Sequence, residues 1–393
     1  MPVRFGLAQV IETRPHGHVR LDRPKAGLSN SVSVIPLAPQ QANIDRGARL
    51  PLYNLPFTVD IAGPLEVDVV EAAFGDLLVR HRSLRTTFPD SPWGPRQLFV
   101  DDPSTMKSVF RSAPFSEDAV TDVLSAPFDV RSQLPVRATL FERESGDHVL
   151  ACSVHHIAAD GWSLGVLARD FATAFSSRTL GTAPEWTDAP LHYSDFSVWA
   201  EGNSDESDLE FWRRELSDVP FDTSVPNDRP RESDWDYTGD RVEFDVNSQT
   251  VEGLDRIAQR YRTSRFTVLR SALVVLLARL TGEKDLLIGT PIAGRGDPIL
   301  EQVVGMFVNT LAIRSDIGKA ATFEEVIGIA HASEVRAFDH SGVSFDQVVA
   351  ELDPSPHRGR HPLFQVALSL DVFTVSQFDV GSTHFEVVPV LSA

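Results

Sequence analysis

Apolar residues in this chain recur at two spacings, and the spacings alternate. Residues 66–82 place Val69, Ala73 and Leu77 four apart, with Leu78 beside the last, the signature of one buried helix face. Residues 53–61, 135–141 and 148–154 read as strands, the last two joined through the turn residues Glu144-Ser145-Gly146-Asp147. A short strand is expected over 84–88, where β-branched and aromatic residues cluster. Helical spacing returns over 163–175, 194–200 and 208–216. In the second half, 251–262, 266–280 and 323–338 read as helices, and 285–292, 307–313 and 363–371 as strands. Between the halves, 220–240 is rich in Pro, Asp and Ser and has no period, which marks it as linker. The pattern predicts an α/β protein (α+β layered) in two units: an irregular extension over 1–35, a first unit over 36–200, a linker region over 201–245 and a second unit over 246–393.

Length agrees with two units, because 393 residues exceed the size at which one core stops growing. The formal net charge of −19 argues against nucleic acid and anionic membrane as partners. Cys152 is the single cysteine, so an intrachain disulfide is excluded; within an apolar run it reads as a small hydrophobe and not a nucleophile. Residues 1–30 lack the continuous apolar stretch of a signal peptide, and no segment approaches the ~20 apolar residues of a membrane span. The expected compartment is the cytoplasm.

Candidate chemistry concentrates in His155-His156-Ile157-Ala158-Ala159-Asp160-Gly161-Trp162-Ser163, where the apolar run 149–154 ends. Histidine titrates near neutrality and can accept a proton from an attacking amine or hydroxyl. Neighbouring strand residues point to opposite faces, so only one of the two histidines can face a given cavity. Asp160 could bond the catalytic imidazole or pair with an arginine and shape the loop; spacing leaves both open. Gly161 permits a sharp turn or close approach of a ligand, and Ser163 can cap the helix that follows. A zinc site is not expected, since no further ligand lies at suitable spacing. His357 and His361, followed by Pro362, do not suggest a metal-binding helix.

The string His-His-x-x-x-Asp-Gly resembles the signature of the acyltransferase superfamily that includes chloramphenicol acetyltransferase. Further stretches resemble the condensation domains of nonribosomal peptide synthetases. Residues 80–88 (RHRSLRTTF) are similar to that family's Arg-His-Glu-x-Leu-Arg-Thr-x-Phe, with Arg82 in place of Glu. Residues 193–199 (YSDFSVW), 288–295 (IGTPIAGR), 305–311 (GMFVNTL) and 360–365 (RHPLFQ) match others in the family's order. They also place Arg295-Gly296-Asp297 in a loop after a strand and not as a cell-adhesion tripeptide.

The resemblance implies two chloramphenicol-acetyltransferase-like lobes in a V, with a tunnel between them. A carrier-bound acyl or aminoacyl thioester donor would meet an amine or hydroxyl acceptor there, forming an amide or ester in natural-product biosynthesis. It implies that His156 is catalytic and His155 its structural neighbour. Asp160 would pair with an arginine, for which Arg85 is the candidate. Gly161 would line the tunnel where the acceptor arm passes, flanked by Trp162 and Ser163, with Asn309 and Thr310 as further lining residues. No bound cofactor is implied: peptidyl or acyl carrier proteins, the donor and acceptor partners, would present substrates on phosphopantetheine arms. A locally basic patch would be their docking ground on so acidic a chain.

The chain departs from the family in two places. The first motif is degraded over 36–44, which keeps the frame but lacks Arg-Leu-Trp. The family also continues for tens of residues beyond 385–390, so the second lobe is expected to be incomplete, with an exposed sheet edge. No adenylation signature or carrier-attachment motif is visible, so the resemblance is to a free-standing or excised domain. Two other readings carry weight: a CoA-dependent small-molecule acyltransferase of the same superfamily, and a non-catalytic condensation-like docking domain.

Overall fold

The structure is a computed structural model that describes residues 35–38, 40–41, 53–92, 94–187, 191–201, 206–219, 221, 225–226, 242–354, 361–370 and 377–390. In chain order the first half runs β1 (Ile35–Pro36), β2 (Asn54–Ala62), α1 (Val67–Arg80), β3 (Thr86–Thr87), β4 (Arg96–Phe99), α2 (Pro103–Lys107), β5 (Phe110–Pro114), α3 (Glu117–Ser125), β6 (Val136–Glu142), β7 (His148–His155), α4 (Gly161–Thr179) and α5 (Tyr193–Glu201). The second half runs α6 (Glu206–Glu215), α7 (Ser248–Arg260), α8 (Arg265–Thr281), β8 (Asp285–Ile292), β9 (Asn309–Asp316), α9 (Phe323–Asp339), α10 (Phe345–Leu352), β10 (Gln377–Val380) and β11 (Thr383–Pro389).

Six strands form the main sheet, in the order β10-β11-β2-β7-β6-β5. Every pairing in it is antiparallel except β5 with β6. Strand β7 is buried along its whole length because both faces are covered. Leu150, Cys152 and Val154 join the core under α1 and α4, while Val149 and Ala151 pack with Leu124 of α3. Two-sided burial explains why this strand reads as an unbroken apolar run instead of an alternation.

In the second half β8 and β9 pair antiparallel. Leu286 and Ile288 pack on Val274 and Leu277 of α8, and Leu287 and Leu311 on Trp212 and Leu216. Helix α8 is less apolar inside than its sequence suggests. Arg270 is fully buried there, bonded to Glu334, Ser315, Ser333 and the Ala330 carbonyl.

Several expectations need correction. The strand predicted over 84–88 is a single tight turn, Arg82–Arg85, followed by two strand residues. The Thr86 hydroxyl donates to the Arg82 carbonyl at 2.7 Å and closes that turn, while Thr86 itself pairs with Phe99. The region 201–245 is not all linker: α6 supplies Trp212 to the second core, and Leu216 and Val219 follow it there. Much of 220–240 and all of 1–34 lie outside the described residues. Around 363–371, where a strand was expected, one bridge of Gly289 to Ala367 is present, and Asp371 lies outside the described residues. The boundary 246–393 also fails at its end. Strand β11 pairs with β2, from His384 opposite Ala62 to Pro389 opposite Phe57, so the last strands belong to the first half's sheet. Phe385, fully buried against Phe171 and Phe175, holds them there.

Candidate active site

The two histidines sit where β7 runs out. The backbone N–H of His155 donates to the Pro135 carbonyl and that of His156 to the Tyr53 carbonyl, at 2.8 and 2.7 Å, so β6 and the start of β2 pin the strand end. His155 is completely buried, between Phe128 and Tyr53. Its Nδ1 accepts from the Ile157 N–H at 3.2 Å, which puts the ring proton on Nε2. The Ala158 N–H returns to the His155 carbonyl and closes a turn. Gln41, a survivor of the degraded first motif, donates to the Ile157 carbonyl at 2.8 Å and braces the same turn.

His156 has a different environment. Its Nδ1 is buried with no hydrogen-bond partner among the described residues. Burial holds its pKa below the ordinary histidine value, while the Asp160 charge and backbone groups of His156 and Ala159 act in the opposite direction. The imidazole is therefore neutral at neutral pH, the form that accepts a proton.

Asp160 is the hub of the loop. It caps α4, accepting from the Ser163 N–H at 2.8 Å and the Ser163 hydroxyl at 2.7 Å. Its Oδ1 also accepts from Arg295 at 2.8 Å, and its Oδ2 from the Phe307 N–H at 3.1 Å. Both partners of the Asp160–Arg295 pair are buried, with side chains 0% and 2% exposed. The second terminal guanidinium nitrogen, Nη1, donates to the carbonyls of Leu300 and Val303 at 2.6 and 2.7 Å. A segment of the second half is thereby tied onto the first, where Leu300, Val303 and Phe307 enter the first core. Two glycines allow the close approach. Gly294 has φ of +65° and lies against the Phe307 carbonyl; Gly305 lies so close to the Tyr193 ring that a Cβ would clash. The Tyr193 hydroxyl donates to the Met306 carbonyl.

Arg85 is not the partner of Asp160. It pairs with Asp101, whose side chain is 82% exposed, at the far end of its own turn. The physical reason is reach across the fold: Arg295, distant in sequence, arrives on the loop after β8. Its signal was Gly294-Arg295 within the 288–295 match. Asn309 is also committed elsewhere. Its amide donates to the Val343 carbonyl at 2.7 Å, and its Oδ1 accepts from the N–H groups of Thr310 and Phe345. It braces the 341–345 loop, and no polar atom of it is left to face a lumen. Thr310 is half-buried, paired with Pro291. Gly161 and Trp162 are exposed at the start of α4, and Trp162 donates from Nε1 to the Glu301 carbonyl at 3.0 Å. A Cβ on Gly161 would meet nothing within 4 Å, and its φ is not positive, so neither packing nor backbone demands glycine there.

Cys152 is buried, and burial pushes its thiol pKa up, as suits a packing residue. Among the described residues no cluster of three metal-ligating side chains occurs, and no helix is long and apolar enough to cross a membrane.

A family model described as "Condensation domain" matches residues 48–390. The isonitrile lipopeptide synthase of Mycobacterium tuberculosis is 33% identical over 355 residues, covering 86% of this chain and 14% of the synthase. The dimodular nonribosomal peptide synthase of Bacillus subtilis is 35% identical over 332 residues, covering 81% of this chain and 14% of its own length. This chain thus spans about one-seventh of the length of either relative. Among solved structures, a complex of the X-domain and OxyB from teicoplanin biosynthesis aligns with a TM-score of 0.82 at 26% identity, over 95% of this chain and 84% of that one.

Proposed function

The chain belongs to the condensation-domain family of nonribosomal peptide synthetases, and on that premise we propose that it joins a carrier-bound acyl or aminoacyl thioester to an amine or hydroxyl acceptor. The observation that carries this reading is His156: a neutral histidine with an uncommitted ring nitrogen, beside a loop locked by Asp160 and Arg295. The acceptor nitrogen attacks the thioester carbonyl and the C–N bond forms. Neutral His156 takes the proton from the attacking nitrogen; the C–S bond breaks, and the proton passes to the departing thiolate. Such base assistance contributes about 10²–10⁴-fold, and holding two tethered reactants together contributes further. Ser163 and Arg295 act on the loop's shape, as does Asp160, whose charge also favours the proton on His156 against burial. Gly161 fits passage of the acceptor's phosphopantetheine arm, since its missing side chain leaves open space.

The partners on this reading are two carrier proteins. Arg80 and Arg85 are largely buried and paired with Asp170 and Asp101, whereas Arg82 between them is exposed, so of the three it is Arg82 that an acidic carrier surface could meet.

The test is condensation of a donor-loaded carrier with amine acceptors, read by intact mass. His156→Ala is expected to lower amide formation at least ~10-fold. Unchanged turnover would overturn the assignment. The likeness to an X-domain solved with OxyB favours a second reading, a docking platform for a partner enzyme. A platform would show no turnover with any donor, and its partner binding would be indifferent to His156→Ala.

A further inference from the structure

Between the main sheet and α4 lies an apolar cavity of about 50 Å³. Its walls come from β2, β6, β7, α1, α4 and the β10–β11 hairpin, and every side chain lining it is apolar. Protein interiors are close-packed, so a void of this size is unusual. It is large enough for water, yet it offers no polar partners to hold one, so it is dry or filled by an apolar group.

The cavity's position relates it to the candidate site. Val154 lies two residues before His156, and Leu164 follows Ser163 directly. Val136 adjoins Pro135, whose carbonyl holds the His155 backbone. Carried one residue past the strand, the alternation of β7 puts His156 on the side of Leu150, Cys152 and Val154, which all line the cavity. Helix α4 divides the two sides of the site. Gly161 and Gly165 are exposed, whereas Leu164, Leu167 and Ala168 face the cavity.

We propose that this cavity receives the end of a short aliphatic group borne by the acyl donor. The inference rests on the condensation reading, in which the acceptor arm passes Gly161 and the sheet side of α4 is left to the donor. At ~30 Å³ for a water-sized group, the volume suits about two chain carbons. Each buried methylene is worth ~0.8 kcal/mol, or about fourfold in affinity. The cavity therefore selects donors by chain length over two carbons and levels off beyond them.

The test uses the full chain and S-acyl pantetheine thioesters from acetyl to decanoyl, with binding read by calorimetry. Kd is expected to fall about fourfold from acetyl to propionyl and again to butyryl, then to level off. Ala168→Val adds two carbons to one wall and should flatten the series to less than twofold. Cys152→Leu, from the opposite wall, should do the same, with folding of both variants checked by circular dichroism. A flat series in the wild-type chain would overturn the proposal, as would a steep one that both folded variants keep. Length dependence on the acceptor amine instead would overturn the donor assignment. A steep, variant-sensitive binding series without condensation would sustain the cavity and sink the condensation reading; condensation with a flat series would do the reverse.

Discussion

Truncating Arg295 tests whether the second half's crossing segment is held by one buried ion pair. Arg295→Ala removes four hydrogen bonds, to Asp160, Ser163, Leu300 and Val303. Asp160 keeps its bonds from Ser163 and the Phe307 N–H but loses its counter-charge while fully buried. Removing one partner of a buried pair costs about 3–5 kcal/mol. At ~2.1 cal/mol/K per residue, unfolding a chain of this length carries an entropy near 0.8 kcal/mol/K, so Tm should fall by about 4–6 °C. Asp101→Asn is the control. It breaks the pair of Arg85 with an exposed carboxylate and should move Tm by about 1 °C or less. Differential scanning fluorimetry gives the shift. Hydrogen exchange localises it: amides over 298–307 should exchange faster in Arg295→Ala, and those of β8 should not. The double variant Asp160→Asn/Arg295→Met should lose less than the sum of its single changes, because both act on one pair. If Arg295→Ala melts no lower than Asp101→Asn, the pair does not hold the crossing and the reasoning fails.

Two further outcomes follow from the same contacts. Gly161→Val should fold normally, since its Cβ meets nothing and its backbone is not left-handed, yet raise the acceptor's KM at least tenfold with the donor's KM unchanged; equal effects on both would contradict the arm's path. Acid should destabilise the fold through its buried histidines. Burial lowers His192 and His361 to about 4 each, and lowers His81 and His156 as well. The unfolded chain takes up these protons below about 6.5 and the folded chain does not, so stability is whole above that pH and drains away as pH falls toward 4, by at most ~3 kcal/mol for each of the first two. His361→Phe keeps the aromatic packing on Phe345 and Phe364 and removes one titration. Its Tm should match or exceed wild type at pH 7 and fall less steeply between pH 6.5 and 4.5; an unchanged slope would refute the linkage.

Local elements were largely legible because their causes are local. The helix at 67–80 follows from apolar spacing, and the β6–β7 hairpin follows from two apolar runs about a turn at Gly146, whose φ is +86°. Helix α10 was missed. Its capping box of Ser344 and Gln347 was a readable signal, but eight residues carry little period. Of the short strand predicted over 84–88 only Thr86 and Thr87 pair, with Phe99 and Leu98, while Leu84 and Arg85 belong to the turn that precedes them.

By itself the sequence determined an α/β chain and its family through ordered motifs, and it singled out one stretch for candidate chemistry, since each reading depends on residues near one another along the chain. Only the tertiary structure decided which arginine meets Asp160, because Arg295 and Arg85 are equally good cations and the choice turns on where a distant loop lands. It likewise decided that β11 completes the first half's sheet, and that Asn309 is used up in bracing a loop. It also gave the two histidines unlike surroundings, one enclosed by aromatic rings and bonded, the other desolvated with a nitrogen to spare. A pairing between groups more than a hundred residues apart has no local signature, because its energy arises from burial and geometry that exist only once the chain has closed on itself.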